Sequence, residues 1–461
     1  MSKENSLAAG LLFAVVSAAC LAQEQYPKPL VHTPTDHPAA HIVLLSVDGL
    51  HAFDLAYWIT SHPHSALAEL SRRGVTYTNA HTPAAEPAAG LLALTTGGTP
   101  ISTGIITSDG YDRDLSPIGS ACSQVGTELS LGSAIAPSKV VALDPKNGCR
   151  PLAAHDLLRV NTMFEVVTEK VGSTAWAGED SATTDLLRGP SGKGLKAACD
   201  DAAGDRARVD ALIGWIDEPT VHALFGMSFT GIAESQRRDG YLDGLGTPSQ
   251  GLAKALQELD DSIGRIVQEL KAKRLFDSTW IVVAAPYAQS PVDRRQRTVI
   301  PLARLRKTAD TAVPSGVVHI SGGDVAMIWV LQTAQTDRLA KSLAADAMSL
   351  SIQDIYYGAR LALTLNTPAD DSRMPDIILQ PRAGVSWGVR NERALMSHGG
   401  MLDQDTHVAL MISGAQLTGR TDPTYVPTTQ LAPLLLRALG MEKFDLRALH
   451  LEHSPALPGI F

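Results

Sequence analysis

Between Ile42 and Val47 five of six residues are apolar, and the run ends in Asp48-Gly49 (HIVLLSVDGL, His41 to Leu50). A strand that is apolar on both faces has to be covered on both. That is the condition of a parallel sheet sandwiched by helices, not of a half-solvated antiparallel one. The rest of the chain meets it. Strand-like segments (VTYTNAHT, STAWAGE, VHALFGMSFTG, STWIVVAAPY, DVAMIWVL, MPDIILQPR, HVALMISG) alternate with helical ones. The longest helical segment, Gly251 to Leu275, spaces Leu252, Leu256, Leu259, Ile263, Ile266, Val267 and Leu270 along one stripe. HSALAELSRRG stops at Gly74 and AAGLLALTTGG at Gly97-Gly98, as helices do. This alternation predicts an α/β fold with a doubly wound, mostly parallel central sheet flanked by helices.

Two stretches break the pattern. Residues 109 to 160 are rich in Gly, Ser and Pro and weakly periodic, and read as a long insertion covering one edge of the sheet. A second insertion is expected near 186–220, loop-rich over residues 186 to 208. Its GPSGKG is not a phosphate loop, because the Lys is misplaced and Leu195 follows Gly194.

The N-terminus is cationic at Lys3, apolar from Leu7 to Ala22 and polar afterwards. This predicts a secretory signal peptide over 1–22, cleaved after Ala22, and a Pro-rich polar linker over 23–39. The folded unit then spans 40–461 and is secreted or extracytoplasmic. The apolar run is shorter than the ~20 residues a spanning helix needs, and no other segment is long and apolar enough to cross a membrane. An oxidising compartment permits disulfides. Cys122 and Cys149 flank one Gly/Ser/Pro-containing stretch and are expected to pair, which leaves Cys199 free or intermolecular. The formal charge of −9 excludes phosphate-backbone binding, so no nucleic-acid partner is expected.

The stretch HTPAAEPAAGLLALTTGGTP, His81 to Pro100, has the frame of a catalytic loop without a nucleophile at its tip. The landmarks around it are IVLLSVDGL, GLLALTTGGTPISTGI, YDRDL, LRVNTMFEVV, TAWAGE, GYLDGLGTPS, LDDSIGRIVQELK, STWIVVAAPYAQSPVD, DVAMIWVL, PDIILQP and MSHGGMLDQDTHVALMISG. In this order, over residues 40 to 440, the chain resembles the type I phosphodiesterase/nucleotide pyrophosphatase family of the alkaline phosphatase superfamily. The resemblance implies an alkaline-phosphatase-like fold. It also implies two divalent metals, typically zinc, at the carboxyl ends of the central strands. There they activate a Thr or Ser nucleophile and clamp the phosphoryl oxygens. Asp48 matches the first metal-binding Asp, and His398 in SHGG the late His of the same site.

The sequence departs from that pattern at four places. Counting back from Gly90, the nucleophile position is Pro87, which has no attacking atom. Its neighbour Glu86 could attack or ligate, but reads better as a solvated loop residue. After WIVVAA the family carries a His, where this chain has Pro286-Tyr287-Ala288. After MSFTG the expected Asp and Gly-His are missing, and Glu234 is the remaining candidate. TAWAGEDS offers Glu179 and Asp180 without a His. Asp405 and His407 follow the SHGG loop as further candidate ligands, His407 with a structural role as the better reading. At most one divalent metal site, zinc or another ion, is expected, with no nucleotide cofactor and a small phosphorylated ligand as the partner. Three functions follow: a catalytically impaired phosphodiesterase-like protein, a hydrolase using one metal-activated water, or a non-catalytic interaction protein.

Overall fold

Strand β1 (His41–Val47) lies at the middle of the main sheet, every residue after His41 buried. The computed structural model describes residues 38–132, 140–200, 204–292, 297–388, 395 and 398–460. The expected signal peptide (1–22) and nearly all of the expected linker (23–39) lie outside them. The main sheet is completed by β2 (Gly74–His81), β7 (Thr174–Ala177), β8 (Ala197–Cys199), β9 (Leu224–Phe229), β10 (Thr279–Ala284), β17 (His407–Ser413), β18 (Arg420–Asp422) and β19 (Val426–Pro427). Its order is β18-β2-β17-β10-β1-β9-β7-β8, with β19 also on β2.

β1 pairs in parallel with β10 on one side and β9 on the other, and β7 and β8 continue in parallel. Only β17 runs against its two neighbours. The sheet is therefore mostly parallel, and its order turns about β1. The turn leaving β1 opens at such a switch point, where α/β sheets place their ligands. Helix Gln250–Ala272 buries the predicted stripe against this sheet.

Three features differ from the sequence reading. The strands in DVAMIWVL and MPDIILQPR do not join the main sheet. β12 (Val317–Ser321), β13 (Ala326–Val330), β15 (Ile377–Pro381) and β14 (Ile352–Tyr357) form an antiparallel sheet of their own. Leu305 and Leu339, from helices Leu302–Ala312 and Thr336–Ala345, help fill this second core. A parallel pair, β11 (Thr298–Pro301) and β16 (Val385–Gly388), flanks this second lobe.

The 186–220 stretch is also less of an insertion than expected. It holds edge strand β8 and helix Asp205–Asp217, which buries Val209, Leu212 and Ile216 in the main core.

The 109–160 insertion forms two hairpins, β3 (Asp109–Asp112) with β4 (Thr127–Ser130), and β5 (Val140–Asp144) with β6 (Arg150–Ala153). None of the four pairs with an edge of the main sheet. β4, β5 and β6 instead pack on helix Pro87–Thr96 through Ala88 and Leu92, with Leu129, Val141, Ala142 and Leu152. Arginine–aspartate pairs clasp this region to the 371–376 loop: Arg159 to Asp371 at 2.7 Å, Arg373 to Asp112 at 2.8 Å, and Arg113 to Asp376. Cys122 and Cys149 are joined by a disulfide, Cα atoms 5.9 Å apart. Cys199 is disulfide-bonded as well, where the sequence reading expected a free or intermolecular thiol.

Candidate active site

The segments carrying the candidate residues meet at the carboxyl edge of the parallel strands. Asp48 leaves β1, and its N–H continues the ladder to the Phe229 carbonyl at 2.9 Å. Tyr287 leaves β10 next door, its carbonyl accepting from the Gly49 N–H at 3.1 Å. Glu86 precedes helix Pro87–Thr96, and Pro87 stands at its first position, where a missing N–H costs nothing. His398 arrives in the loop before antiparallel β17, whose start lies on this same edge.

Tyr287 occupies the middle of the site. Its hydroxyl donates to Asp48 Oδ2 at 3.3 Å. Its ring packs with Ala85 and Ala233 and meets the His398 ring edge-on, centroids 5.5 Å apart. Both Asp48 and Tyr287 are buried. Burial, reinforced by the charge of Glu179, pushes the Asp48 carboxyl well above the usual carboxylate range. Burial and Asp48 likewise push the Tyr287 phenol up. Asp48 is thus a desolvated carboxyl under a phenol.

One close backbone approach fixes this packing. A Cβ on Gly90 would sit 1.9 Å from the Pro286 carbonyl oxygen. The absence of a side chain there lets helix Pro87–Thr96 press directly on the segment carrying Tyr287.

Glu86 is not the solvated loop residue the sequence suggested. It is 8 % exposed and its carboxylate is held at both ends. Oε1 lies 3.2 Å from His398 Nδ1, and Oε2 accepts from the Thr107 hydroxyl at 3.4 Å. Gly399 has φ +94°, and a Cβ there would meet Glu86 Oε1 at 2.5 Å, so the loop closes on the carboxylate. The His398 side chain is 34 % exposed. Burial disfavours its charge, but the carboxylates of Glu86 and Asp324 outweigh that and raise its pKa.

The remaining candidates do not join this group. Glu234 is exposed on helix Gly231–Arg238. Asp405 is buried but already accepts from Ser290 N–H at 3.1 Å, Leu402 N–H at 3.0 Å and the Ser290 hydroxyl. His407 gives its Nε2 to the Thr78 carbonyl at 2.7 Å and stacks on His81. After β9, Asp205 binds the Thr230 and Gly231 N–H groups at 2.9 and 3.0 Å, with buried Arg208 on the Ser228 carbonyl. A structural carboxylate–guanidinium network stands there.

Among the described residues no three His, Cys, Asp or Glu side chains converge as a metal-ligand set. The decisive observation is the phenol: Tyr287 fills the space between Asp48 and His398, so these residues do not fit a pair of divalent ions. Sequence reasoning missed three contributors. Tyr287 showed as a lost His but not as a filler of space, and Thr107 gave no signal. Arg237, next to Gln236, brings a positive charge that acts on Asp48, Glu179, Tyr287 and His398.

The model of the type I phosphodiesterase / nucleotide pyrophosphatase family matches residues 42–401. The chain belongs to this family. No curated protein matches it by sequence. Solved structures share the fold. Murine ectonucleotide pyrophosphatase/phosphodiesterase 5 superposes with a TM-score of 0.64 at 15% identity, covering 87% of this chain and 96% of that one. The human protein of the same name gives 0.61 at 15% identity, covering 91% and 96%. An inactive form of the murine protein, in complex with AMP, gives 0.63 at 14% identity over 87% and 96%. Among the described residues of this type I phosphodiesterase relative, no helix is long and apolar enough to cross a membrane.

Proposed function

We propose that this family member is a secreted, phosphodiesterase-like protein whose metal-dependent hydrolysis is impaired and which keeps a place for a small phosphorylated ligand. One observation carries the reading: the Tyr287 phenol on Asp48, wedged by Ala85 and Ala233, takes the volume a metal pair would need. Pro87 at the nucleophile position supports it, because proline offers no attacking atom. The half-exposed His398 at the rim, beside Glu86, is the part of the site a ligand can reach. The relative that holds AMP makes a nucleoside monophosphate the natural first probe. The apolar run from Leu7 to Ala22 and the Cys122–Cys149 disulfide support export to an oxidising compartment.

The Glu86–His398 contact favours a second reading, a hydrolase that activates water on a single ion held at the rim. One experiment separates the two. Purified protein is analysed for bound metal and assayed on a chromogenic phosphodiester with and without added zinc. The first reading expects no stoichiometric metal and no turnover above the blank. Zinc-dependent turnover that disappears in His398→Ala replaces it with the second.

A further inference from the structure

The seam between the β3–β4 hairpin and the second lobe contains a buried imidazole with no part in the site above. His319, on β12, is 6 % exposed. Two hairpin carboxylates reach it. Glu128 Oε1 lies 3.1 Å from Nδ1, and Asp109 Oδ1 lies 3.3 Å from Nε2. Both carboxylates are otherwise mostly in solvent. The Asp109 contact is an ion pair, held by charge. A neutral imidazole can donate its one N–H to Glu128 but attracts Asp109 little, whereas the protonated ring attracts both carboxylates.

Other neighbours do not compete for this ring. β13 covers it with Trp329, centroids 5.2 Å apart. Helix Leu302–Ala312 spends its nearby cation, Arg306, on the Val317 carbonyl. The charged groups facing His319 are therefore the two carboxylates of the hairpin.

The hairpin also leads to Glu86. Asp109 N–H donates to Thr107 Oγ1 at 3.2 Å, the Thr107 hydroxyl lies 3.4 Å from both Glu86 Oε2 and the Asp109 carbonyl oxygen, and Glu86 pairs with His398 at 3.2 Å. We propose that His319, gripped by Asp109 and Glu128, is a protonation-dependent latch that seats the β3–β4 hairpin on the second lobe and keeps Thr107 on Glu86. This regulation does not depend on whether the site turns over a phosphoester.

The direction of the switch follows from the charges. Burial works against the imidazolium, but the two carboxylates more than offset it and raise the His319 pKa. A raised pKa means the latch is fully engaged below the ordinary histidine value of about 6.5 and is released as pH rises through the raised one.

Amide hydrogen exchange on the full chain tests it, reading Gly110 to Asp112 and Glu128 to Leu129 at pH 5.5 and 8.5 after correction for the intrinsic rate. The wild type should open up to about fivefold more at pH 8.5, the scale set by pairs with one exposed partner. Asp109→Asn with Glu128→Gln changes only exposed side chains and should already be open at pH 5.5, with no further pH response. A hairpin whose protection is the same at both pH values overturns the latch. So does a double variant that keeps the wild-type pH response.

Discussion

Tyr287 and Asp48 leave adjacent parallel strands, β10 and β1, and the phenol of the first donates to the carboxyl of the second at 3.3 Å. Two residues at the switch point of the sheet thus satisfy each other instead of a ligand. The pair closes the centre of the carboxyl edge, and among the described residues of this group His398 is the one with a partly exposed side chain. It also sets what substitutions there should do.

Filling and bonding at Tyr287 are separable. Tyr287→Phe keeps the ring between Ala85 and Ala233 and loses one hydrogen bond, at an expected cost of about 1 kcal/mol. Tyr287→Ala leaves a cavity beside a buried acid and should cost about 3–4 kcal/mol. Urea unfolding of the two variants measures the difference, and equal losses would show that the ring is not packed as described.

A hydroxyl at the nucleophile position should not restore catalysis by itself. Pro87→Thr puts one back, but the phenol still separates Asp48 from His398. The expected outcome is no zinc-dependent release of product from a chromogenic phosphodiester. A metal-dependent rate in this single variant contradicts the filled-site account.

Gly90→Ala inverts the usual helix preference. In an open helix the change stabilises by up to about 1 kcal/mol. Here the new methyl would lie 1.9 Å from the Pro286 oxygen, and displacing the segment should give a net loss of about 2 kcal/mol. A Tm equal to or above that of the wild type would refute the close approach.

The insertion should show its own pH dependence. Asp185 hydrogen-bonds His155 Nδ1 at 2.7 Å and raises the imidazole pKa. The contribution is present in full below about pH 6.5 and is lost as pH rises through the raised value. His155→Gln should therefore destabilise by about 2 kcal/mol at pH 5.5 and by less at pH 9, the scale of a hydrogen bond to a charged group. Thermal melts at the two pH values give the comparison.

Much of this fold was legible from residues alone. β1, the Gly251–Leu275 helix and the Gly-Gly stop of the catalytic-loop helix follow from local periodicity and are where the sequence places them. The partner of a strand is not a local property. AMIWV is as apolar as IVLLSV, yet β13 pairs antiparallel inside a separate lobe. β8 is only three residues long and was lost in a loop-rich context. At the site, the loss of a nucleophile at Pro87 was readable, because a residue type excludes a chemistry. The burial of Glu86 was not, because it depends on Thr107 and on His398, 312 residues away along the chain.

The wedge between Ala85 and Ala233 makes mutational history directional at this edge. While the phenol is seated, adding a metal ligand or a nucleophile gains nothing, and each such change looks neutral or harmful when tried first. Once the ring has been exchanged for a smaller or ligating group, the same changes acquire value. On the proposed reading, a laboratory path toward metal-dependent hydrolysis begins at position 287, and a screen of single substitutions elsewhere misses it.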